Sequence, residues 1–324
     1  MAREFPQIDW DDRLAADWRR LLAIAIEEDL GPDEPDDLTT AAVVPAGVPG
    51  QAAVVARRPG VVAGLPTVPI TLAAIDPALE FRATIDDGHR VTSGSHVGLL
   101  TGPARAILAA ERLVLNTLGR LSGIASLTAD YVDAVADTEA RIYDTRKTTP
   151  GWRRLEKYAV RCGGGWNHRE ALFAAVLIKD NHLALGAQAA GVPDARSFAE
   201  PNPLGEPHYT PAEAVRRARE YLVERFGQQR AEEIVVEIEV DTLAQLSAVL
   251  IAHPDIVLLD NMDTHTLSTA IETRNQLGAG VELEASGGVT LETVARIAAT
   301  GVERISVGGL THSAAQLDLG LDWL

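Results

Sequence analysis

One cysteine, Cys162, stands in the whole chain, so no disulfide framework exists and no oxidising compartment is needed. Long apolar runs are missing too. The longest uncharged stretch, residues 38–56, is interrupted by Pro45, Gly47, Pro49, Gly50 and Gln51, and nothing reads as a bilayer span. The opening MAREFPQIDWDDR has no apolar core, which argues against a signal peptide and leaves the cytoplasm as the expected compartment. Positive charge is scarce: 29 Lys and Arg face 46 Asp and Glu, a formal net charge of −17. Nucleic acids and anionic membranes demand a basic face, so neither is an expected partner. The 324 residues are 46% hydrophobic and 23% charged, a globular balance that excludes general disorder. That length has room for two domains, or for one α/β barrel with an appendage.

Lysine is the other scarcity. Only Lys147, Lys157 and Lys179 interrupt 26 arginines. All three fall within residues 141–179, where nine basic residues meet three acids (Asp144, Glu156 and Glu170), so this segment is +6 and the rest of the chain −23. A charge run is ordinarily a solvated helix face. This one contains TRKTTPG and GGGWNHR, whose glycine, threonine and proline suit a helix poorly. A basic island in an acidic protein reads better as a pocket for a small, multiply charged anion. Lysine is a compact point charge where arginine is a broad planar fork. Positions that stay lysine against such a bias point to function, Lys147 and Lys179 foremost and Lys157, in RRLEKYAV, after them.

Residues 1–114 combine a helical DWRRLLAIAIEEDL, a proline and acid loop GPDEPDD, and the β-like runs QAAVVA, GVVAGL, LEFRATI and, after the turn DDG, HRV. The pattern predicts a small α+β domain on an antiparallel sheet, with a domain boundary at 114/115. Residues 104–125, ARAILAAERLVLNTLGRLSGIA, space their apolar side chains by three and four and predict a long helix ending near Gly119 and Gly123. From residue 140 the rhythm changes. ARIYDT, AVLIKD, IVVEIEV, DIVLLDN, VELEAS and RISVGG are β-branched runs followed by helical sequence, and the last four recur every 21 to 24 residues. Such alternation predicts a parallel sheet and its repetition an incomplete α/β barrel; an open doubly wound sheet is the alternative. A proline-rich surface loop is expected over residues 183–210, then a helix at 211–226. The last residues could pack back on the N-terminal domain.

Each run ends in polar residues or glycine: Arg146 and Lys147, Lys179, Glu239, Asp260, Ser286 with Gly287 and Gly288, and Gly308 with Gly309. Chemistry in barrels and open α/β sheets sits at the C-terminal strand ends. A single charge there is commonly a helix cap, a role that suits Asp260 in LLDNMDTHT. Six such ends form a coherent set. The bases would hold phosphates and carboxylates. Glu239 and Asp260 would hold Mg²⁺, which binds through one or two carboxylates plus substrate phosphate. The glycine pairs would let backbone N–H groups approach a phosphate. Glu237 shares a strand face with Glu239, which is preferred because it lies nearer the strand end. None of the eight histidines has zinc-ligand spacing; His168, beside Arg169 after a triple-glycine turn, is the candidate for substrate contact.

DTRKTTPGWRRLEKYAVRCGGGWNHR, followed in order by LIKDNH, EIEVDTL, LLDNM, EASGGV and ISVGGLTHS, resembles the quinolinate phosphoribosyltransferase family. The likeness runs from the DLTT at Asp37 to His312 and Ser313, and takes in GVVAGL, GHRVTSGSHV and ERLVLNTLGRLSGIAS. It implies an N-terminal open-faced α/β sandwich followed by an incomplete α/β barrel. It also implies a Mg²⁺-using enzyme of NAD biosynthesis that joins quinolinate to phosphoribosyl pyrophosphate and releases nicotinate mononucleotide, pyrophosphate and CO₂. On matching positions, Arg146, His168, Arg169 and Lys179 would bind quinolinate, with Thr145 beside them and Arg112 reaching in from a neighbouring subunit. Lys147, Glu239 and Asp260 would serve the phosphoribosyl pyrophosphate and its Mg²⁺, and Ser286, Gly287, Gly308 and His312 would line a phosphate site. Lys147, Lys179, Glu239 and Asp260 form the expected catalytic group. A homodimer, or a hexamer built from dimers, with shared active sites is implied.

The chain departs from the family pattern at Ala174, where Asp is frequent, and at Gly119, where Gln is frequent; the loop GPDEPDD looks lengthened. Three other functions stay open. They are a related phosphoribosyltransferase with another aromatic acceptor, a Schiff-base lyase using Lys179, and a non-catalytic anion-binding relative.

Overall fold

A computed structural model describes residues 3–32, 37–189, 210–277 and 280–324. The chain begins with α1 (Asp12–Leu30), α2 (Leu38–Val43), β1 (Pro49–Ala56), β2 (Gly60–Val61), α3 (Thr67–Ile75), β3 (Glu80–Ala83), β4 (Arg90–Val91), β5 (His96–Pro103) and α4 (Ala104–Ala134). It continues through β6 (Arg141–Tyr143), α5 (Arg153–Cys162), β7 (Val176–Ile178), α6 (Asp180–Ala189), α7 (Pro211–Phe226), α8 (Gln228–Glu233) and β8 (Val236–Val240). It closes with α9 (Leu243–Leu250), β9 (Ile256–Asp260), α10 (Thr264–Gln276), β10 (Glu282–Ser286), α11 (Leu291–Ala298), β11 (Arg304–Ser306), α12 (Gly309–His312) and β12 (Leu319–Trp323). Two compact units result. The first is assembled from Met1–Pro6, Asp133–Arg146 and His168–Val307, the second from Gln7–Val132, Lys147–Asn167 and Gly308–Leu324. The boundary expected at 114/115 therefore falls inside α4, and the second unit takes back α5 and the C-terminus.

In the second unit the main sheet has the strand order β12-β1-β5-β3, with β1 antiparallel to both of its neighbours. β5 does not stand out in the sequence, because the two glycines and final proline of HVGLLTGP hide its pattern; pairing with β1 makes it a strand. Ala52, Val54 and Ala56 on one face of β1 share a core with Ile107, Ala110, Val114 and Leu118 of α4, the first set spaced by two and the second by three or four.

α4 does not end near Gly119 and Gly123; it runs 31 residues, to Ala134. The glycines serve packing instead. A Cβ on Gly123 would stand 2.1 Å from the Ala315 carbonyl oxygen, and one on Gly119 3.0 Å from that of Leu317. The Leu317 N–H donates to Gly119 O at 2.9 Å, so the chain entering β12 lies directly on the bare helix backbone. Gly119, the departure from the family's frequent Gln, is occupied by this contact.

The first unit carries a six-stranded parallel sheet in the order β6-β11-β10-β9-β8-β7, and all six runs expected as strands are in it. From β7 to β11 each strand lies beside its predecessor, and β6 lies beyond β11. A doubly wound sheet reverses this progression part-way and this sheet does not. It winds as a barrel, left open among the described residues between β6 and β7. All five residues of β8 are buried, as befits a parallel strand covered on both faces. Two of them are Glu237 and Glu239, which demand partners. Of the loop expected over residues 183–210, the start is the last part of α6, and residues 190–209 lie outside the described residues. The expected helix at 211–226 is α7, capped by Thr210, whose Oγ1 accepts the Glu213 N–H at 3.1 Å. No described helix is long and apolar enough to cross a membrane.

Candidate active site

β7 delivers Lys179 and β8 Glu239, and the Lys179 ammonium ion-pairs with Oε2 of Glu239. Burial raises the Glu239 pKa; Lys179 pulls it back, and Asp260 and Asp180 push it up again. Asp260 ends β9 in register with Ser286 of β10, and its Oδ2 accepts from Nδ2 of Asn261 at 2.7 Å. Asn261 holds a positive φ of 54°, and its N–H donates to Ser286 O at 2.9 Å. Gly287, at φ 95°, is needed twice here: a side chain disfavours that φ, and a Cβ would stand 2.2 Å from Asn261 Oδ1. Sequence reasoning singles out Asp260 and Gly287 and misses the asparagine between them. The pair Asp-Asn in LLDNM is its only signal, and it reads equally as a helix cap.

Thr145 and Arg146 follow β6 and are half-buried, whereas Arg169 is buried. Nη1 of Arg169 donates to Ala175 O at 3.3 Å. Burial lowers the Arg169 pKa, the Arg146 guanidinium lowers it further, and Glu237 opposes. The like charges of these two guanidinium groups disfavour one another, and an anion beside such a pair offsets that repulsion. Ala174, just before β7, is half-buried, and its N–H donates to Ala171 O at 3.2 Å.

His168, expected as a substrate contact, is buried and directed at carboxylates of the sheet itself. Its N–H donates to Asp144 Oδ1 at 2.9 Å, and its Nδ1 accepts the Arg169 N–H at 2.8 Å. Nε2 lies 2.9 Å from Glu237 Oε2 and 3.6 Å from Glu284 Oε1, and the ring stands 4.4 Å from that of Phe5. The cause is the pair of fully buried glutamates. Burial pushes Glu237 up to about 7 and raises Glu284 as well. Such groups need a donor or a cation close by; the His168 ring stands within ion-pair distance of both, and the buried Arg304 donates from Nε to Glu284 Oε2 at 3.3 Å. Among the described residues, His168, Glu237 and Glu284 are the group whose ligand-type atoms come within 4.8 Å of one another. Linear spacing conceals this trio, and Glu239 and Asp260 are not part of it.

In the second unit Lys147 is exposed beside Gly308. A Cβ on Gly308 would come within 2.8 Å of Lys147 Cδ, and 3.4 Å from both Lys147 Nζ and His312 Nε2. An ammonium and an imidazole thus flank one bare stretch of backbone. Nδ1 of His312 lies 2.7 Å from Ser313 Oγ. Lys157 differs from the other lysines: it is fully buried in α5. Arg112, on α4, leaves 62% of its side chain exposed and lies 3.7 Å from Glu111. Of the expected site residues, Arg112, Lys147, Gly308 and His312 belong to the second unit and the rest to the first.

Residues 37–122 match the family model of the quinolinate phosphoribosyl transferase N-terminal domain, and residues 124–204 and 210–322 that of its C-terminal domain. The chain belongs to the quinolinate phosphoribosyl transferase family. A nicotinate-nucleotide pyrophosphorylase (carboxylating) of Mycobacterium leprae is 41% identical over 288 residues, covering 88% of this chain and 90% of that protein. A quinolinate phosphoribosyltransferase (decarboxylating) of Nicotiana tabacum is 36% identical over 317 residues, covering 94% of this chain and 82% of that one. Among solved structures, the nicotinate-nucleotide pyrophosphorylase of Francisella tularensis superposes with a TM-score of 0.82 at 30% identity, covering 99% of this chain and 100% of that one. The two family domains meet at 122/124, again inside α4.

Proposed function

We propose that this enzyme transfers the phosphoribosyl group of phosphoribosyl pyrophosphate to quinolinate and releases nicotinate mononucleotide, pyrophosphate and CO₂, a step of NAD biosynthesis. The observation that carries the reading is the first unit's strand-end set, in which Arg146 and Arg169 repel one another and Lys179 stands on Glu239 with Asp260 close by. Quinolinate brings two carboxylates, which guanidinium forks grip in bidentate fashion. The quinolinate ring nitrogen forms a bond to the ribose C1 while the C1–oxygen bond to pyrophosphate breaks, through an oxocarbenium-like state. Holding the reactants in line is worth up to ~7–11 kcal/mol in ideal cases. Lys147 and His312 meet the negative charge of the departing phosphates. The quaternary ring nitrogen then draws in the electron pair of the C2–carboxylate bond, CO₂ leaves, and C2 takes a proton from water. No covalent enzyme intermediate is needed. The Lys179 ammonium is committed to Glu239, whereas a Schiff base requires a free amine.

The donor set fits Mg²⁺, which takes hard oxygen ligands: Glu239 and Asp260 offer carboxylate oxygens, and the Lys179 ammonium on Glu239 and the Asn261 amide on Asp260 would have to share or yield them. These two residues would hold the ion, which when bound supplies charge neutralisation for phosphate oxygens. The same reading places the reaction in the cytoplasm. It takes the exposed Arg112 as the residue that completes the site of a neighbouring subunit, in a homodimer or a hexamer built from dimers.

Incubation with quinolinate, phosphoribosyl pyrophosphate and MgCl₂, followed by chromatography, should give nicotinate mononucleotide with one CO₂ and one pyrophosphate per product. Nicotinate in place of quinolinate should give none. Comparable turnover of nicotinate would instead assign another aromatic acceptor, and a borohydride-trapped adduct on Lys179 would assign a lyase.

A further inference from the structure

Two of the three acids in the basic island, Asp144 and Glu156, are fully buried. Asp144 holds the backbone of His168 in the first unit. Glu156 holds a different piece of backbone in the second. Its Oε1 receives Nη2 of Arg120 at 2.7 Å, and its Oε2 accepts the Thr149 N–H at 3.2 Å. The same Arg120 nitrogen donates to the Thr311 carbonyl at 2.5 Å. Thr311, fully buried, donates its Oγ1–H to the Lys147 carbonyl at 2.8 Å. These bonds close a circuit from α4 through α5 and the loop after Lys147 to α12, and back to α4.

The loop TRKTTPG belongs to no helix or strand, so its backbone groups must find partners elsewhere. Lys147 O and Thr149 N, on either side of Thr148, find them in Thr311 and Glu156. The circuit therefore grips the main chain of Lys147 and of α12, the turn that carries His312, and leaves the Lys147 ammonium exposed over Gly308. A buried ion pair is a poor device for stability alone, since apolar side chains of like volume serve as well or better. Its worth lies in the geometry that it imposes.

We propose that Arg120, Glu156 and Thr311 form a positioning clamp that sets Lys147 against His312 and so tunes the affinity for the pyrophosphate group of the substrate. The inference rests on the reading of Lys147 as a phosphate-binding residue. All three act through the backbone of the Lys147 loop and the α12 turn; they are positioning residues and not catalytic ones.

The test uses the full chain with inorganic pyrophosphate and MgCl₂ in a calorimeter, beside steady-state kinetics. Thr311→Val keeps the shape and removes only the hydroxyl, whereas Thr311→Ser keeps the hydroxyl. Thr311→Val should weaken pyrophosphate binding about fivefold, the scale of one lost hydrogen bond. The KM for phosphoribosyl pyrophosphate should rise in proportion, with the quinolinate KM unchanged, and Thr311→Ser should restore both. Glu156→Gln, if it folds, should act as Thr311→Val does. Equal pyrophosphate affinity in the valine and serine variants overturns the clamp. So does a valine variant that raises both KM values alike with a lowered Tm, because that is a general loss of structure. Wild-type protein that binds pyrophosphate yet makes no product from quinolinate would sink the proposed reaction and leave the clamp standing.

Discussion

Arginine could carry the charge of Lys147 but not its shape. The Lys147 side chain lies so close over Gly308 that a single added Cβ would come within 2.8 Å of its Cδ. Lys179 meets the largely buried Glu239 through its ammonium. A planar guanidinium is broader than an ammonium and fixes its donors in a fork. Lys147→Arg and Lys179→Arg should therefore each lose at least tenfold in kcat/KM, about 1.4 kcal/mol of transition-state stabilisation, although no charge changes. Steady-state assays decide, and near-normal kinetics in both variants would show that the arginine bias of this chain spared those lysines by chance.

For the long helix α4, propensity and packing pull in opposite directions. Replacing a mid-helix glycine by alanine favours the helix by about 1 kcal/mol. At Gly123 the new Cβ would sit 2.1 Å from a backbone oxygen of Ala315, and backbone cannot swing aside as a side-chain tip can. Overpacking of that kind costs roughly 1–3 kcal/mol, so packing should win. Gly123→Ala should lower the Tm, and Gly119→Ala, whose Cβ meets Leu317 O at 3.0 Å, should lower it less. Calorimetric scans check the order, and a Gly123→Ala protein at least as stable as the wild type would mean that the segment at 315–317 yields.

At the scale of the whole molecule the question is whether one chain makes a complete site. Arg112 is mostly exposed on α4, its charge loosely matched by Glu111. A subunit-exchange experiment tests the reading that it serves a neighbour. Arg112→Ala protein and Lys147→Ala protein, each inactive alone, should regain activity on mixing, because the heterodimer has one site free of both changes. Random exchange in a two-fold dimer predicts recovery toward roughly a quarter of wild-type activity. Exchange verified by mass spectrometry without any recovery would confine Arg112 to its own subunit or to no role.

Much of this protein is legible from the chain alone, and the reason is locality. The six parallel strands show because a short buried β-run bounded by turn signals carries its own signature. The strand-end places of Lys179, Glu239 and Asp260 show because strand ends can be counted, and a compositional bias marks Lys147 and Lys179; the roles of these four belong to the proposed function. Tertiary structure decided the remainder. Gly119 and Gly123 look like helix ends in the sequence and are contact points for a segment nearly two hundred residues later. His168, expected to touch substrate, also stands beside Glu237 and Glu284, a juxtaposition of buried groups that only the folded sheet creates. The Arg120 clamp joins residues 36 and 191 positions apart. Periodicity and composition are properties of neighbouring residues. Close approach and loss of solvent belong to pairs that only the folded chain brings together.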